Sequence, residues 1–214
     1  MRILDLFCGA GGASMGYHRA FPDADIVGVD NVPQPDYPFT FIQGDATDPP
    51  FDLTAGHFDF IHASPPCQSY SNMSNRWGSD AEELIGRSRF LIQCAGVPGV
   101  IENVTGAKAS MENYIMLTGY QFGLATWRPR LFELIGFWAL APATVRGVSE
   151  AGVYGKPDGR RLWGSGRSGL RAWSSIEQGQ RLLDIDWTDD PHQLKEAIPP
   201  AYTEYIGNQL TGLL

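Results

Sequence analysis

Cysteine is scarce in this chain, with three residues in 214, at positions 8, 67 and 94. The count is odd and the spacing wide, which argues against a disulfide framework and against a cysteine-built zinc site. Basic charge is also short. Sixteen Lys and Arg face 24 Asp and Glu, and a net charge of −8 argues against a generic polyanion binder. Long apolar runs are missing too. The N-terminal "MRILDLFCGAGG" passes from one arginine through a short apolar stretch into glycines, too quickly broken for a signal peptide or a membrane span. These absences predict a soluble, reduced, cytoplasmic protein with no membrane contact and no metal. A Gly-Lys-Ser/Thr phosphate loop is absent as well, so ATP or GTP is not the expected ligand. The 43% hydrophobic content suffices for one large domain, or a domain with an appendage.

The acidic balance is uneven. Between Leu140 and Ser175, six basic residues (Arg146, Lys156, Arg160, Arg161, Arg167, Arg171) face two acidic ones (Glu150, Asp158). A local +4 on a remainder of −12 suits a polyanion contact, although incidental arginines on a solvated loop would give the same composition.

Short apolar stretches alternate with helical patterns. Strands are predicted at Arg2–Phe7, Asp25–Asp30, Phe39–Asp45, Phe58–Ser64, Gly99–Val104 and within Arg128–Trp138. Helices are predicted over Ala13–Phe21, from a Ser79/Glu82 capping box to about Cys94, over Ser175–Leu183, from Asp190-Pro191, and from Pro199-Pro200 to about Leu214. This alternation implies an α/β fold, a mostly parallel sheet with helices on both faces. In such sheets ligands sit beyond the carboxyl ends of the strands, and Asp30, Asp45, Cys67 and Glu102 all fall at or just past those ends. The Gly-, Ser- and Arg-rich stretch "YGKPDGRRLWGSGRSG" divides the chain into a core (1–138), an insert (139–175) and C-terminal helices completing the core (176–214).

Two local patterns carry chemistry. The glycines of "DLFCGAGG" let a ligand approach the backbone at a helix N-terminus. Asp30, about twenty residues further on, suits a ribose diol, and Asp45 could accept from an adenine amino group. Either aspartate would equally serve as a helix cap. In "HASPPCQSYS" two prolines forbid helix and central strand, so Cys67 is the first side chain presented beyond a stiffened turn. A thiol placed there is either reactive or an ordinary loop residue.

In this order, "DLFCGAGG", "SPPCQ" and "ENV" resemble the motifs of the DNA cytosine-5 methyltransferases. "FGLATWRPRLFEL" is similar to that family's Gln-x-Arg-x-Arg motif, and "IGNQL" to its terminal Gly-Asn motif. The matches run from Ile3 to about Leu210 and miss roughly 137–175. The resemblance implies a Rossmann-like fold, S-adenosylmethionine as donor with S-adenosylhomocysteine as product, and duplex DNA as partner in a bacterial or phage-infected cell. Cytosine C5 is a poor nucleophile, so the family adds a thiolate to C6 and makes C5 an enamine carbon that accepts the methyl. Cys67 would be that nucleophile, and Glu102 would protonate or hydrogen-bond N3. Asn103 would orient the loop backbone. Arg128 would contact the base carbonyl and the neighbouring phosphate, with Arg130 in support. Phe7 would pack on the adenine, and Gly9 and Gly11 would admit the methionine portion. Asp30 would hold the ribose and Asp45 the adenine, while Gly12, Asn31, Ala46, Pro65 and Asn208 would complete the cofactor site. The base must leave the stack, at roughly a few kcal/mol. The loop holding Gln68, Ser71 and Arg76 would close over it, with Arg160, Arg161 and Arg167 on the nucleic acid.

The chain departs from the family's pattern twice. Thr126 stands where the family has glutamine. About 45 residues also occupy the place of a separate target-recognition domain, against about 100 for a typical domain. The basic insert is therefore expected to replace it through phosphate contacts. An RNA (tRNA) methyltransferase, a non-catalytic binding relative, and a modifier using another donor or a mononucleotide remain open readings of this pattern.

Overall fold

The computed structural model describes residues 1–66, 80–143, 145–160 and 171–210. Seven strands form one sheet: β1 (Arg2–Leu6), β2 (Asp25–Asp30), β3 (Thr40–Gln43), β4 (Phe60–Ala63), β5 (Gly99–Val104), β6 (Tyr114–Leu117) and β7 (Arg130–Ile135). Five α-helices accompany them among the described residues: α1 (Gly12–Ala20), α2 (Asp80–Ala95), α3 (Ile176–Leu183), α4 (Pro191–Glu196) and α5 (Pro200–Leu210). The strand order is β3-β2-β1-β4-β5-β7-β6. β1 to β5 run parallel, and β7 lies antiparallel between β5 and β6. The architecture is the α/β one implied by the sequence, a mostly parallel Rossmann-like sheet with helices against it. β6 is missing from the sequence reading. "YIML" is only four residues long on the sheet's outer edge, too short for alternation to register.

Alternate side chains of β1 enter opposite cores. Leu4 and Leu6 join Ile61, Ile101 and the α2 residues Ile85 and Ile92 in one. Ile3 joins Phe60, Phe132, Tyr17 of α1 and Tyr202 and Ile206 of α5 in the other. Close packing of α1 on α5 requires glycine. A Cβ on Gly16 would stand 2.1 Å from the Pro200 carbonyl oxygen, and one on Gly207 would stand 2.7 Å from Ala20 Cβ. On the other face, Arg89 of α2 clasps Glu133 of β7 through Nε (2.6 Å) and Nη2 (2.9 Å). A third, smaller core joins Ala151, Val153, Ala172 and Trp173 to Leu182, Leu183 and Leu194. The described part of residues 139–175 therefore packs on α3 and α4. No helix among the described residues is long and apolar enough to cross a membrane.

One acid is buried between the sheet and α1. Asp5 is fully enclosed; its Oδ2 accepts from Ser14 Oγ (2.5 Å), and the Tyr37 hydroxyl lies 2.6 Å from the same Ser14 oxygen. Oδ1 has no hydrogen-bond partner among the described residues. Desolvation, opposed by the Ser14 bond, pushes the Asp5 carboxyl up to about 7. The native state therefore holds a proton that the unfolded chain releases near pH 4. The stability this group contributes falls as pH rises from about 4 to about 7 and is level above that. Asp5→Asn should lose less stability than the parent between pH 5 and 8, by roughly 2–3 kcal/mol at most, in denaturant titrations at the two pH values. Equal losses in both proteins would show that Asp5 does not titrate in this window.

Candidate active site

The carboxyl ends of β1, β2, β4 and β5 lie along one edge of the sheet, because these strands are parallel neighbours. The turn after β1 is built from left-handed backbone, with φ of 57° at Phe7, 48° at Gly9 and 83° at Gly11. Glycine suits two of these positions for different reasons. A Cβ on Gly9 would enter open space, so its backbone is presented to a ligand. A Cβ on Gly11 would stand 2.9 Å from the Tyr37 ring, so this glycine admits the aromatic behind the turn. At the end of β2, Asp30 accepts from Gly9 N–H through Oδ2 (3.0 Å) and from Val32 N–H through Oδ1 (2.9 Å). Two amides thus aim this carboxylate beside the turn. Asp45, beyond β3, takes Thr47 N–H (2.8 Å) and Thr47 Oγ1–H (2.7 Å) on the single oxygen Oδ1. These bonds, the hydroxyl's being the larger effect, hold the carboxyl below its ordinary range and leave Oδ2 outside both contacts. Asn31 is exposed, and its carbonyl accepts from Gln43 Nε2 (3.1 Å). Ala46 is buried in the first core, and the half-buried Phe7 packs against it.

An open glycine backbone, an aspartate at the end of β2 and a second one beyond β3 fit an adenosyl-bearing cofactor. The orphaned, buried Asp5 Oδ1 beneath the same turn suits a cationic one.

The loop after β4 begins in register with the sheet, Ser64 N–H donating to Leu6 O (3.0 Å). Pro65 is buried, and its carbonyl accepts from Asn103 Nδ2 (3.0 Å). Asn103 Oδ1 in turn accepts from Val104 N–H (2.9 Å). The end of β5 therefore grips the loop two residues before Cys67. Cys67 itself, with Gln68, Ser71 and Arg76, lies outside the described residues. The other two cysteines are free thiols, Cys94 exposed and Cys8 buried. Burial, with Asp5 and Asp30 nearby, pushes the Cys8 thiol so far up that it is no nucleophile.

Glu102 of β5 is buried, with Arg130 Nε of β7 at 2.9 Å from its Oε1. The antiparallel register pairs Val104 with Arg130, so Glu102 and Arg130 are diagonal neighbours on one sheet face. Burial raises the Glu102 carboxyl above its ordinary range; Arg130, Arg128 and a hydrogen bond from Ser64 each oppose that rise. A carboxyl held this way can carry a proton nearer neutrality than a surface glutamate.

Three of the sequence-predicted residues have surroundings other than those the resemblance implies, Arg128 first. It is buried, and its guanidinium donates to Val153 O (2.8 Å), Lys195 O (2.7 Å) and Ala197 O (2.5 and 2.9 Å). Burial and the neighbouring Arg130 draw it down to about 10, still a cation. Arg130 is the arginine beside Glu102. At Gly12 a Cβ would run into Ile198 O, so the start of α1 packs closely on the segment before α5. Asn208 lies on the last turn of α5. Gly12 meets Ile198, Gly16 meets Pro200 and Gly207 meets Ala20, so α1 and α5 run side by side in one direction. That puts Asn208 about 13 Å, the length of nine helical residues, from the glycine turn. On the insert, Arg160 is exposed and pairs with Asp158 (3.0 Å), while Arg161 and Arg167 lie outside the described residues.

The sequence reading also missed residues that brace the site. Trp187 Nε1–H donates to Ala10 O (2.7 Å), pinning the glycine turn, and Thr188 Oγ1–H donates to Asp36 (3.0 Å) beside it. Both partners are more than 150 positions away, and no local pattern announces such contacts. Among the described residues no group of three or more His, Cys, Asp or Glu could hold a metal ion.

Comparison with known proteins agrees with this geometry. No curated protein sequence matches the chain. Among solved structures it is similar to the Entamoeba histolytica methyltransferase EhMeth, with a TM-score of 0.61 and 12% identity over 100% of this chain and 99% of that one. That likeness concerns the fold. A structure described as a predicted O-methyltransferase from Agrobacterium tumefaciens is more remote, at TM-score 0.40 and 17% identity over 69% of this chain and 79% of its own. The family model of C-5 cytosine-specific DNA methylases matches residues 1–113, more than half of the chain. Glycine turn, proline loop and buried β5 glutamate all fall within that match, and this chain belongs to the C-5 cytosine-specific DNA methylase family.

Proposed function

We propose that the chain transfers a methyl group from S-adenosylmethionine to C5 of a cytosine rotated out of duplex DNA, through a transient bond to Cys67. The observation that carries this reading is the Asn103 Nδ2 bond to Pro65 O. It couples the strand end bearing Glu102 to the loop that leads directly into Cys67. S-adenosylmethionine, when bound, supplies an electrophilic methyl group on a sulfonium sulfur. Gly9 would admit it to the backbone, Asp30 would accept from its ribose and Asp45 from its adenine. The Cys67 thiolate forms the S–C6 bond, and the electron pair displaced from the ring is met at N3 by the Glu102 proton. Arg130, rather than Arg128, holds the base carbonyl. C5 would take the methyl and N3 would return its proton to Glu102; loss of the C5 proton to water would then re-form the C5=C6 bond and expel Cys67 as thiolate by β-elimination.

The basic insert stands in for a recognition domain. Its described part is anchored through Val153 to Arg128 and through Trp173 to α3 and α4, which supports a fixed rather than a trailing position. Phosphate contacts from such a short segment give relaxed specificity.

Duplex DNA containing 5-fluorocytosine should trap the parent protein as an adduct that survives denaturing gels, and Cys67→Ser should form none. An adduct on tRNA but not on DNA would transfer the reading to RNA, and undiminished methyl transfer by Cys67→Ser would overturn it. Glu102→Gln should slow methyl transfer about 10²–10⁴-fold. The parent's rate should fall as pH rises through the elevated Glu102 range, because the acid form is the working one. Arg160→Glu with Arg161→Glu should weaken DNA binding and flatten its salt dependence, by about 0.9 in log–log slope for each phosphate no longer neutralised. Unchanged affinity and slope would remove the insert from the interface.

A further inference from the structure

His62 takes no part in the chemistry above, yet it sits at its centre. The parallel register lays Asp5, His62 and Val100 side by side across β1, β4 and β5. The imidazole is fully buried, with Nδ1 at 2.9 Å from the Tyr17 hydroxyl of α1 and Nε2 at 2.9 Å from Ser64 Oγ. The Tyr17 ring meets it edge-on, centroids 5.4 Å apart. The Ser64 hydroxyl in turn acts on the Glu102 carboxyl and holds it down. Four side chains from α1, β4, the proline loop and β5 thus form one chain ending at the proposed acid.

The polarity of that chain follows from counting hydrogens. Burial draws His62 down to about 3, so the ring is neutral and has one donor and one acceptor. Burial raises the Tyr17 phenol well above its ordinary range, so the phenol keeps its hydrogen. His62 is the hydrogen-bond partner of that hydroxyl among the described residues. A phenol accepting from Nδ1–H would leave its own hydrogen buried and unpaired, at roughly 1–3 kcal/mol. Tyr17 therefore donates to Nδ1, the ring hydrogen resides on Nε2 and goes to Ser64 Oγ, and the one Ser64 hydrogen is left for Glu102. The far end is a phenol that does not ionise, so the chain orients groups and does not conduct protons.

We infer that His62 is a positioning residue for methyl transfer: held in the Nε2–H tautomer by Tyr17, it turns the Ser64 hydroxyl toward Glu102 and fixes the rotation of that carboxyl. This rests on the reading of Glu102 as the acid. The other ionisable groups facing Glu102 are Arg130 on β7, Arg128 before it, Asp5 on β1 and Tyr202 on α5. Those facing His62 are Tyr17 and, from the neighbouring strand, Asp5. Among the described residues it is His62 that hydrogen-bonds Ser64 Oγ and so assigns its hydrogen.

Two measurements on the full chain test this. With ¹⁵N-histidine labelling, a two-bond ¹H–¹⁵N spectrum should show His62 as a neutral Nε2–H ring that does not titrate between pH 5 and 8. Tyr17→Phe should convert it to a tautomer mixture. An Nδ1–H pattern, or titration within that range, overturns the inference without reference to activity. Single-turnover methyl transfer to unmethylated plasmid DNA is then followed against pH. Ser64→Ala should lower the plateau about tenfold through loss of alignment. It should also move the high-pH limb upward, because a donor favouring the carboxylate is gone. Tyr17→Phe should move the limb the same way by less, with KM for DNA unchanged in both. A purely structural role would lower rates and leave the limb in place, which overturns the inference. If Glu102→Gln retains the parent rate, the assignment of Glu102 fails and this inference with it. If Glu102→Gln is inactive while both other variants keep the parent limb, the His62 inference fails alone.

Discussion

The guanidinium of Arg128, caged by backbone carbonyls, is the contact on which the rest of the site depends. A buried cation without partners would cost several kcal/mol. Here three residues surround it with acceptors, from the insert (Val153) and from the end of α4 (Lys195, Ala197). The last carbonyls of a helix carry its negative dipole end, so the cation also caps α4. The Arg128 carbonyl accepts from Tyr202 of α5 (2.8 Å), which closes the clasp from the other side. Insert, α4 and α5 are thereby fixed to the residue that introduces β7, two positions before the arginine that pairs with Glu102. The left-handed backbone at Arg128, φ 28°, breaks the strand alternation there. Residues 128 and 130 would share a face on a regular strand, and instead they point to different partners.

Electrostatics give the site a second constraint. Asp5 and Glu102 are buried and Asp30 lies at the edge, close enough for Asp5 to feel both of the others. Arg130 answers Glu102, and Ser14 answers half of Asp5. Asp5 Oδ1 has no hydrogen-bond partner among the described residues, so an acceptor is left open beneath the glycine turn.

How much of this is legible in the sequence varies with the distance over which each feature is determined. β5 is readable to the residue because "VPGVIENV" has a Pro-Gly turn signal before it and β-branched Val100, Ile101 and Val104 within it. The helix starts at Ser175 and Asp190 are readable because a cap is a local bond: Ser175 Oγ accepts from Gln178 N–H and Asp190 Oδ1 from His192 N–H. The two arginines of "RPR" are visible as a pair, but their division of labour depends on one backbone angle and on carbonyls about 25 and 70 positions away. Asn208 fits a motif by residue type alone, and only the parallel course of α1 and α5 reveals its distance from the turn. His62 reads as one more residue of an apolar strand. Its meaning lies in Tyr17, 45 positions earlier on a helix.

The shortness of the insert has a physical solution. A segment of 37 residues cannot bury enough apolar surface to offset its own ordering entropy, and below about 40 residues an isolated unit needs a staple. This one borrows its core. Trp173 and Val153 are fully buried because α3 and α4 supply Leu182, Leu183 and Leu194 as the opposite wall, with Arg128 as the staple. The described part of the insert is therefore held by the same core that holds α3 and α4, so neither wall of that core is complete without the other.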